Sequence, residues 1–177
     1  VANAGEGTVS KVDTRNLREA ARYNSVGPNA AGLTPGSHNS PSRTGIDLRG
    51  DMVVANRAFS QQPSATKVAN LDCIDRNGNG TIETSTDTNG NGTIERGDAS
   101  EFFGDADECF LWTKAVGQNN GTARALAIDA GDEDNPFGNI WVGMYSEQKF
   151  YGISGETGEL LTAPGLTNPV NVPHSPY

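Results

Sequence analysis

The sequence predicts an all-β fold of β-propeller blades, about three in an incomplete ring, with an acidic segment inserted in the second. Three observations carry this reading. Short runs of alternating apolar and polar residues recur between clusters of Gly, Pro, Asn and Asp, the pattern of half-buried strands joined by tight turns. The runs repeat: Val1 and Val54 lie 53 residues apart, and the 88 residues from Val54 to Val142 reduce to 50 once a 38-residue acidic segment is set aside. A period near 50 with four short strands per unit is that of a propeller blade, and about four to eight blades close a ring; a β-sandwich with accidental internal similarity is the alternative. Finally, the acids are gathered in one place. Ten lie between Asp72 and Cys109 against only Arg76 and Arg96, so this stretch carries eight of the nine net negative charges.

Strands are expected over 7–13, 51–57, 64–70, 109–115, 123–129, 139–145, 150–154 and 159–161, with 18–23 either a strand or a short helix. Another begins near Gly45. The repeat aligns Val1-Ala2-Asn3 with Val54-Ala55-Asn56 and with Trp141-Val142-Gly143, each followed by a second β-like run. Blades then occupy about 1–24, 42–117 and 122–165, and the insertion 72–109 lies within the second. Trp112 and Trp141 fall on strands as core residues, and the Pro-, Asn- and Ser-rich stretch from Gly27 to Pro41 is a surface loop. In this register Val1 lies inside the second strand of its blade, and Ser175-Pro176-Tyr177 stands just ahead of another first strand. The outer blades are therefore expected to be completed by other copies or by the remainder of a longer chain.

Charge and hydropathy exclude two partner classes. A net charge of −9 does not suit phosphate binding, which needs clustered Lys and Arg. No apolar run approaches the ~18 to 20 residues of a membrane-spanning helix.

The acidic segment holds two copies of one motif. Asp75-Arg76-Asn77-Gly78-Asn79-Gly80-Thr81-Ile82-Glu83 is followed, twelve residues on, by Asp87-Thr88-Asn89-Gly90-Asn91-Gly92-Thr93-Ile94-Glu95. Both match the first half of the D-x-[DN]-x-[DN]-G calcium loop. Oxygens at positions 1, 3 and 5 converge on a hard cation, Gly at 6 allows the sharp turn, the carbonyl at 7 points inward, and Ile at 8 anchors the loop. The expected ligands are Asp75, Asn77, Asn79 and Thr81 in the first loop, and Asp87, Asn89, Asn91, Thr93 and Asp98 in the second. An EF-hand would carry Glu at position 12, where Thr86 and Asp98 stand here, and a twelve-residue repeat leaves no room for a helix between loops. The arrangement is similar to the tandem loops of dockerins and thrombospondin type 3 repeats, in which a later acid completes each site. Asp98 is placed to complete the second loop, and Asp87, Asp105, Asp107 or Glu108 the first. An Asx-rich loop without metal is the alternative.

Cys73 and Cys109, the only cysteines, bracket this segment. A disulfide between them would close the insertion at its base and imply an oxidising compartment; a pair of buried thiols is the alternative. His38 and His174 lie in Ser/Pro-rich loops without a nucleophile–base pattern, so no catalytic residue is assigned.

The residues Glu6 to Arg15, Pro41 to Thr44, Val53 to Arg57, Asp75 to Ser85, Asp107 to Cys109 and Asn139 to Gly143 resemble the secreted β-propeller proteins of myxobacteria and related bacteria, distantly similar to streptogramin-lyase and NHL-type propellers. The resemblance implies a propeller fold and a secreted, cell-surface or periplasmic location, and contributes little on activity. The expected function is thus an extracellular, Ca2+-stabilised structural or binding module, including a subunit of an assembly or filament. A streptogramin-lyase-like enzyme, with its site in blades outside this segment, is the alternative.

Overall fold

The computed structural model describes residues 1–28 and 30–177, so Asn29 of the Gly27–Pro41 loop lies outside the described residues. The chain is all-β. Among the described residues eleven strands run in sequence order as β1 (Ala2–Asn3), β2 (Thr8–Asp13), β3 (Arg18–Asn24), β4 (Pro41–Ile46), β5 (Met52–Asn56), β6 (Ser64–Val68), β7 (Phe110–Ala115), β8 (Ala123–Ile128), β9 (Ile140–Met144), β10 (Lys149–Ile153) and β11 (Val170–Asn171). They form three antiparallel meanders: β1-β2-β3, β4-β5-β6-β7 and β8-β9-β10-β11.

The second sheet lies between the other two, and its side chains show why. Successive strand residues point to opposite faces. Val54 joins Val9, Tyr23 and Phe110 in a cluster shared with the first sheet, whereas Val53 and Ala55 join Ile140, Val142 and Met144 in one shared with the third. Every residue of β6 is buried, as a strand covered on both faces must be. A bulge reconciles β7 with this two-sided environment. Lys67 pairs with Trp112 but Val68 with Phe110, leaving Leu111 as the extra residue. That one insertion lets Phe110 face the first sheet and Trp112 the third.

The repeat read from the sequence reappears in the pairing. Asn3 pairs with Thr8 and Asn56 with Ser64, and in each case the Asn Nδ2 donates to the hydroxyl of its partner, at 3.1 Å and 2.9 Å. Met144 occupies the corresponding place opposite Lys149. A second bulge, between Lys11 and Val12 of β2, matches the one between Lys67 and Val68 of β6.

Lys67 ties the second sheet to the third. Its Nζ lies 2.6 Å from Asp47 Oδ2 and 3.5 Å from Asp51 Oδ2, and it donates to the Gly155 carbonyl at 3.0 Å. In the third sheet Asp129 stands where Asp47 does, since its carboxylate likewise accepts N–H groups of the turn that follows, from Gly131 and Asn139. Its other oxygen is met at 2.9 Å by the indole N–H of Trp141, a half-buried residue. These donors hold the Asp129 carboxyl below its ordinary range although burial alone would raise it.

One open reading is decided and one expectation changes. Arg18–Asn24 is a strand rather than a helix. The expected strand at 159–161 is reduced to a single bridge between Leu160 and Ile153. Ala163-Pro164-Gly165 interrupts the run, and the seat beside β10 is filled piecemeal. Asn168 brackets Gly152, accepting from its N–H at 3.0 Å and donating to its carbonyl at 2.7 Å, and β11 then pairs with Lys149 and Phe150.

Candidate functional site

The acidic segment leaves the sheet after β6 and returns at β7. At its base Ala69 N–H donates to the Cys109 carbonyl at 2.8 Å, Ile74 N–H donates to the Glu108 carbonyl at 3.1 Å, and Cys73 is disulfide-bonded to Cys109. The disulfide reading of the two cysteines therefore holds.

Both Asp/Asn loops have one internal structure. Asp75 Oδ1 accepts from the N–H groups of Gly78 and Asn79, and Oδ2 from Gly80. Asp87 does the same with Gly90, Asn91 and Gly92. Asn77 and Asn79 each accept from the N–H two residues on, and so do Asn89 and Asn91. The curl needs left-handed backbone at the fourth and sixth positions, and the glycines there supply it: Gly78 and Gly80 at φ 72° and 83°, Gly90 and Gly92 at 74° and 95°.

A glutamate from outside closes each loop. Glu108 Oε1 accepts from the N–H groups of Arg76 and Asn77, and its Oε2 from Glu83 at the far end of the loop. Glu101 Oε1 accepts from Asn89 N–H, and its Oε2 from Glu95 N–H, the matching positions of the second loop. Both side chains are at most 1% exposed. Burial works against charge on Glu108, but the N–H groups of Glu83, Asn77 and Arg76 outweigh it and hold the carboxyl below its ordinary range. Hydrogen bonding with Glu101, together with Asn91 and Thr93, lowers Glu95 to about 2.

The other acids of the segment have separate work. Asp98 Oδ1 turns to Ser100, accepting from its N–H at 2.8 Å and its hydroxyl at 2.7 Å. Asp105 accepts from Asn24 Nδ2 of β3. Asp107 accepts from Ser85, Thr84 and Cys109, and burial raises its pKa despite those donors. Of the acids weighed for the first loop, Glu108 is the one whose carboxylate spans it from Arg76 and Asn77 to Glu83, whereas the Asp107 carboxylate meets only Thr84 and Ser85 beyond Glu83. Glu101 is the residue that sequence reasoning missed, because no regular spacing relates Glu101 and Glu108 to their loops and only the folded path brings them there.

The second loop is seated on the first sheet. Glu19 N–H donates to the Gly92 carbonyl at 3.0 Å, Ile94 N–H donates to Glu19 Oε2 at 2.9 Å, and Arg18 donates to the Gly90 carbonyl at 2.8 Å. Ile94 is 1% exposed and anchors its loop as position 8 should, whereas Ile82 of the first loop is 41% exposed. Among the described residues, no three His, Cys, Asp or Glu side chains are grouped so as to hold a metal ion by themselves. Any cation site here would depend on asparagine and backbone oxygens. His38 sits on an exposed turn near Thr34. Among the described residues no helix is long and apolar enough to cross a membrane.

No family model, curated protein or solved structure matches the chain.

Proposed function

We propose that the chain is a calcium-stabilised β-propeller segment serving outside the cell as a structural or binding module, including as a subunit of an extracellular assembly. The observation that carries this reading is the closure of both tandem loops by a buried glutamate, Glu108 on the first and Glu101 on the second. The donor set fits a hard cation: the side-chain oxygens of Asp75, Asn77, Asn79 and Glu108, with the Thr81 carbonyl, and those of Asp87, Asn89, Asn91 and Glu101, with the Thr93 carbonyl, include no nitrogen or sulfur donor. Bound calcium supplies positive charge to a segment that has little of its own. The chain's own residues pre-shape the loops through the N–H bonds to Asp75 and Asp87. The disulfide supports an oxidising location. Three successive meanders packed face to face, with β4 and β5 against β8 and β1 against β4, support the blade reading.

The test is calorimetric titration of chelator-stripped protein with calcium. Two ions bound per chain is the expected result, and absence of heat at millimolar calcium would overturn the reading.

A further inference from the structure

Lys67, Asp47 and Asp51 lie together inside the protein, each side chain at most 3% exposed. Backbone donors hold each carboxylate by one oxygen. Asp47 Oδ1 accepts from the N–H groups of Arg49 and Asp51, both at 2.9 Å, and Asp51 Oδ1 accepts from Asn70 N–H at 2.9 Å. Both Oδ2 atoms are thereby left to Lys67 Nζ, which stands 2.6 Å from that of Asp47 and 3.5 Å from that of Asp51. Neither Oδ2 has a hydrogen-bond partner among the described residues, so Nζ is close to them without the direction of an N–H···O bond. Its directed bond goes to the Gly155 carbonyl at 3.0 Å.

An amine held against a carboxyl group in a dry interior is a reactive arrangement as well as an electrostatic one. Asp47 Cγ is one C–O bond, about 1.2 Å, from Oδ2, so Nζ lies no more than about 3.8 Å from it, close to the ~3 to 3.5 Å at which bound groups react.

We infer that the Lys67 amine and the Asp47 carboxyl condense to an intramolecular amide, with Asp51 as the acid–base group. The protons balance within the three side chains. Nζ first passes one proton to Asp47 Oδ2, leaving a neutral amine, a carboxylic acid and the Asp51 carboxylate. The nitrogen lone pair then bonds to Cγ, and a second Nζ proton passes to Asp51. The developing negative charge falls on Oδ1, to which the Arg49 and Asp51 N–H groups already donate, an arrangement that stabilises the tetrahedral intermediate of acyl transfer. Asp51 gives its proton to Oδ2, the Cγ–Oδ2 bond breaks, and one water leaves. No oxidant, cofactor or activated group is required.

The product suits the site. The one hydrogen left on Nζ is available to the Gly155 carbonyl, and Oδ1 keeps both donors as an amide oxygen. Condensation removes one unpartnered buried oxygen and two opposite charges from the interior. The structure holds the pair unlinked, and until it condenses it acts as a buried ion pair. In the third sheet Asp129 has a like cradle of N–H groups but meets the Trp141 indole, which offers no amine. The linkage ties the β4–β5 turn to β6 and needs neither calcium nor oxidising conditions, so it does not rest on the function proposed above.

The test is the mass of the intact chain after reduction and denaturation. A chain lighter than its sequence by one water is expected. Trypsin should then yield a branched peptide, residues 44–49 joined to 58–76, because an acylated Lys67 is no longer cut. Lys67→Met should show the full mass of its sequence. Asp51→Asn keeps the size of the side chain and removes the base, so its linked fraction at equal time after synthesis should fall at least about tenfold, as for loss of a general acid–base group. A chain of full mass, cut after Lys67 into unbranched peptides, would overturn the inference without requiring any variant to fold. Loss of one water without the branched peptide would count equally against it, since an aspartyl succinimide loses the same mass. Undiminished linkage in folded Asp51→Asn would overturn the role given to Asp51.

Discussion

Lys67 Nζ lies 2.6 Å from Asp47 Oδ2 with both side chains at most 1% exposed, so this ion pair lies inside the molecule, out of reach of water. Such a pair is of little net benefit over a well-packed apolar replacement, but removing one partner strands the other without water. Lys67→Met leaves Asp47 and Asp51 buried with no cation. It is expected to cost about 3 to 5 kcal/mol in chemical denaturation. Adding Asp47→Asn and Asp51→Asn should recover a large part of that loss, and no recovery would mean that the lysine acts by packing.

The two closing glutamates separate the two loops. Glu108→Gln keeps the size of the side chain and removes its charge beside Asn77 and Glu83; Glu101→Gln does so beside Asn89 and Glu95. Each variant should reduce calcium stoichiometry from two ions to one, and Asp98→Asn should leave it at two, because Asp98 is bonded to Ser100. Affinity is expected to be on the order of 10⁻⁴ to 10⁻³ M, since neutral Asn stands at the third and fifth positions. Loss of an ion in Asp98→Asn with both glutamine variants unaffected would return the role to Asp98.

The disulfide joins residues 36 apart and closes off both loops. Cys73→Ser with Cys109→Ser is expected to cost roughly 3 to 4 kcal/mol from loop entropy alone. Part of the segment is also held through Glu19 and Ile94, so amides of the first loop should lose exchange protection before those of the second. Equal loss in both loops would show that the seat on β3 contributes nothing independent.

Most strands were legible because each sheet packs an apolar face against a neighbour and the second sheet does so on both faces, so that the alternation of Val53, Val54 and Ala55 between two cores is a local, period-two signal. The tandem loops were legible for the same reason, since every internal bond of Asp75 or Asp87 closes within five residues. What sequence does not carry is long-range closure. Glu101 reaches its loop by a path with no fixed spacing, and β11 reaches β10 after Asn168 has taken a strand's place at Gly152. The split fate of Ile82 and Ile94 is of this kind too. The two loops are nearly identical in sequence, and only the second meets β3.

Tyr151 gives an alkaline limit to the third sheet. Its hydroxyl donates to Glu147 Oε2 at 2.7 Å, while Glu147 Oε1 accepts from Gln118 N–H at 2.9 Å, so the contact ties β10 to the turn after β7. Burial, then the hydrogen bond to Glu147 and its negative charge, push the Tyr151 pKa from 10.0 up to about 12. The folded protein therefore keeps this proton where the unfolded chain has released it. A raised folded pKa contributes stability that is complete below the unfolded value and is lost as pH climbs through the folded one. Stability should fall between about pH 10 and about pH 12, and Tyr151→Phe should flatten that part of the profile. Glu147→Gln removes the charge that opposes phenolate formation, so one tyrosine should titrate earlier by phenolate absorbance. An unchanged tyrosine titration in Glu147→Gln would show that burial alone sets the Tyr151 pKa.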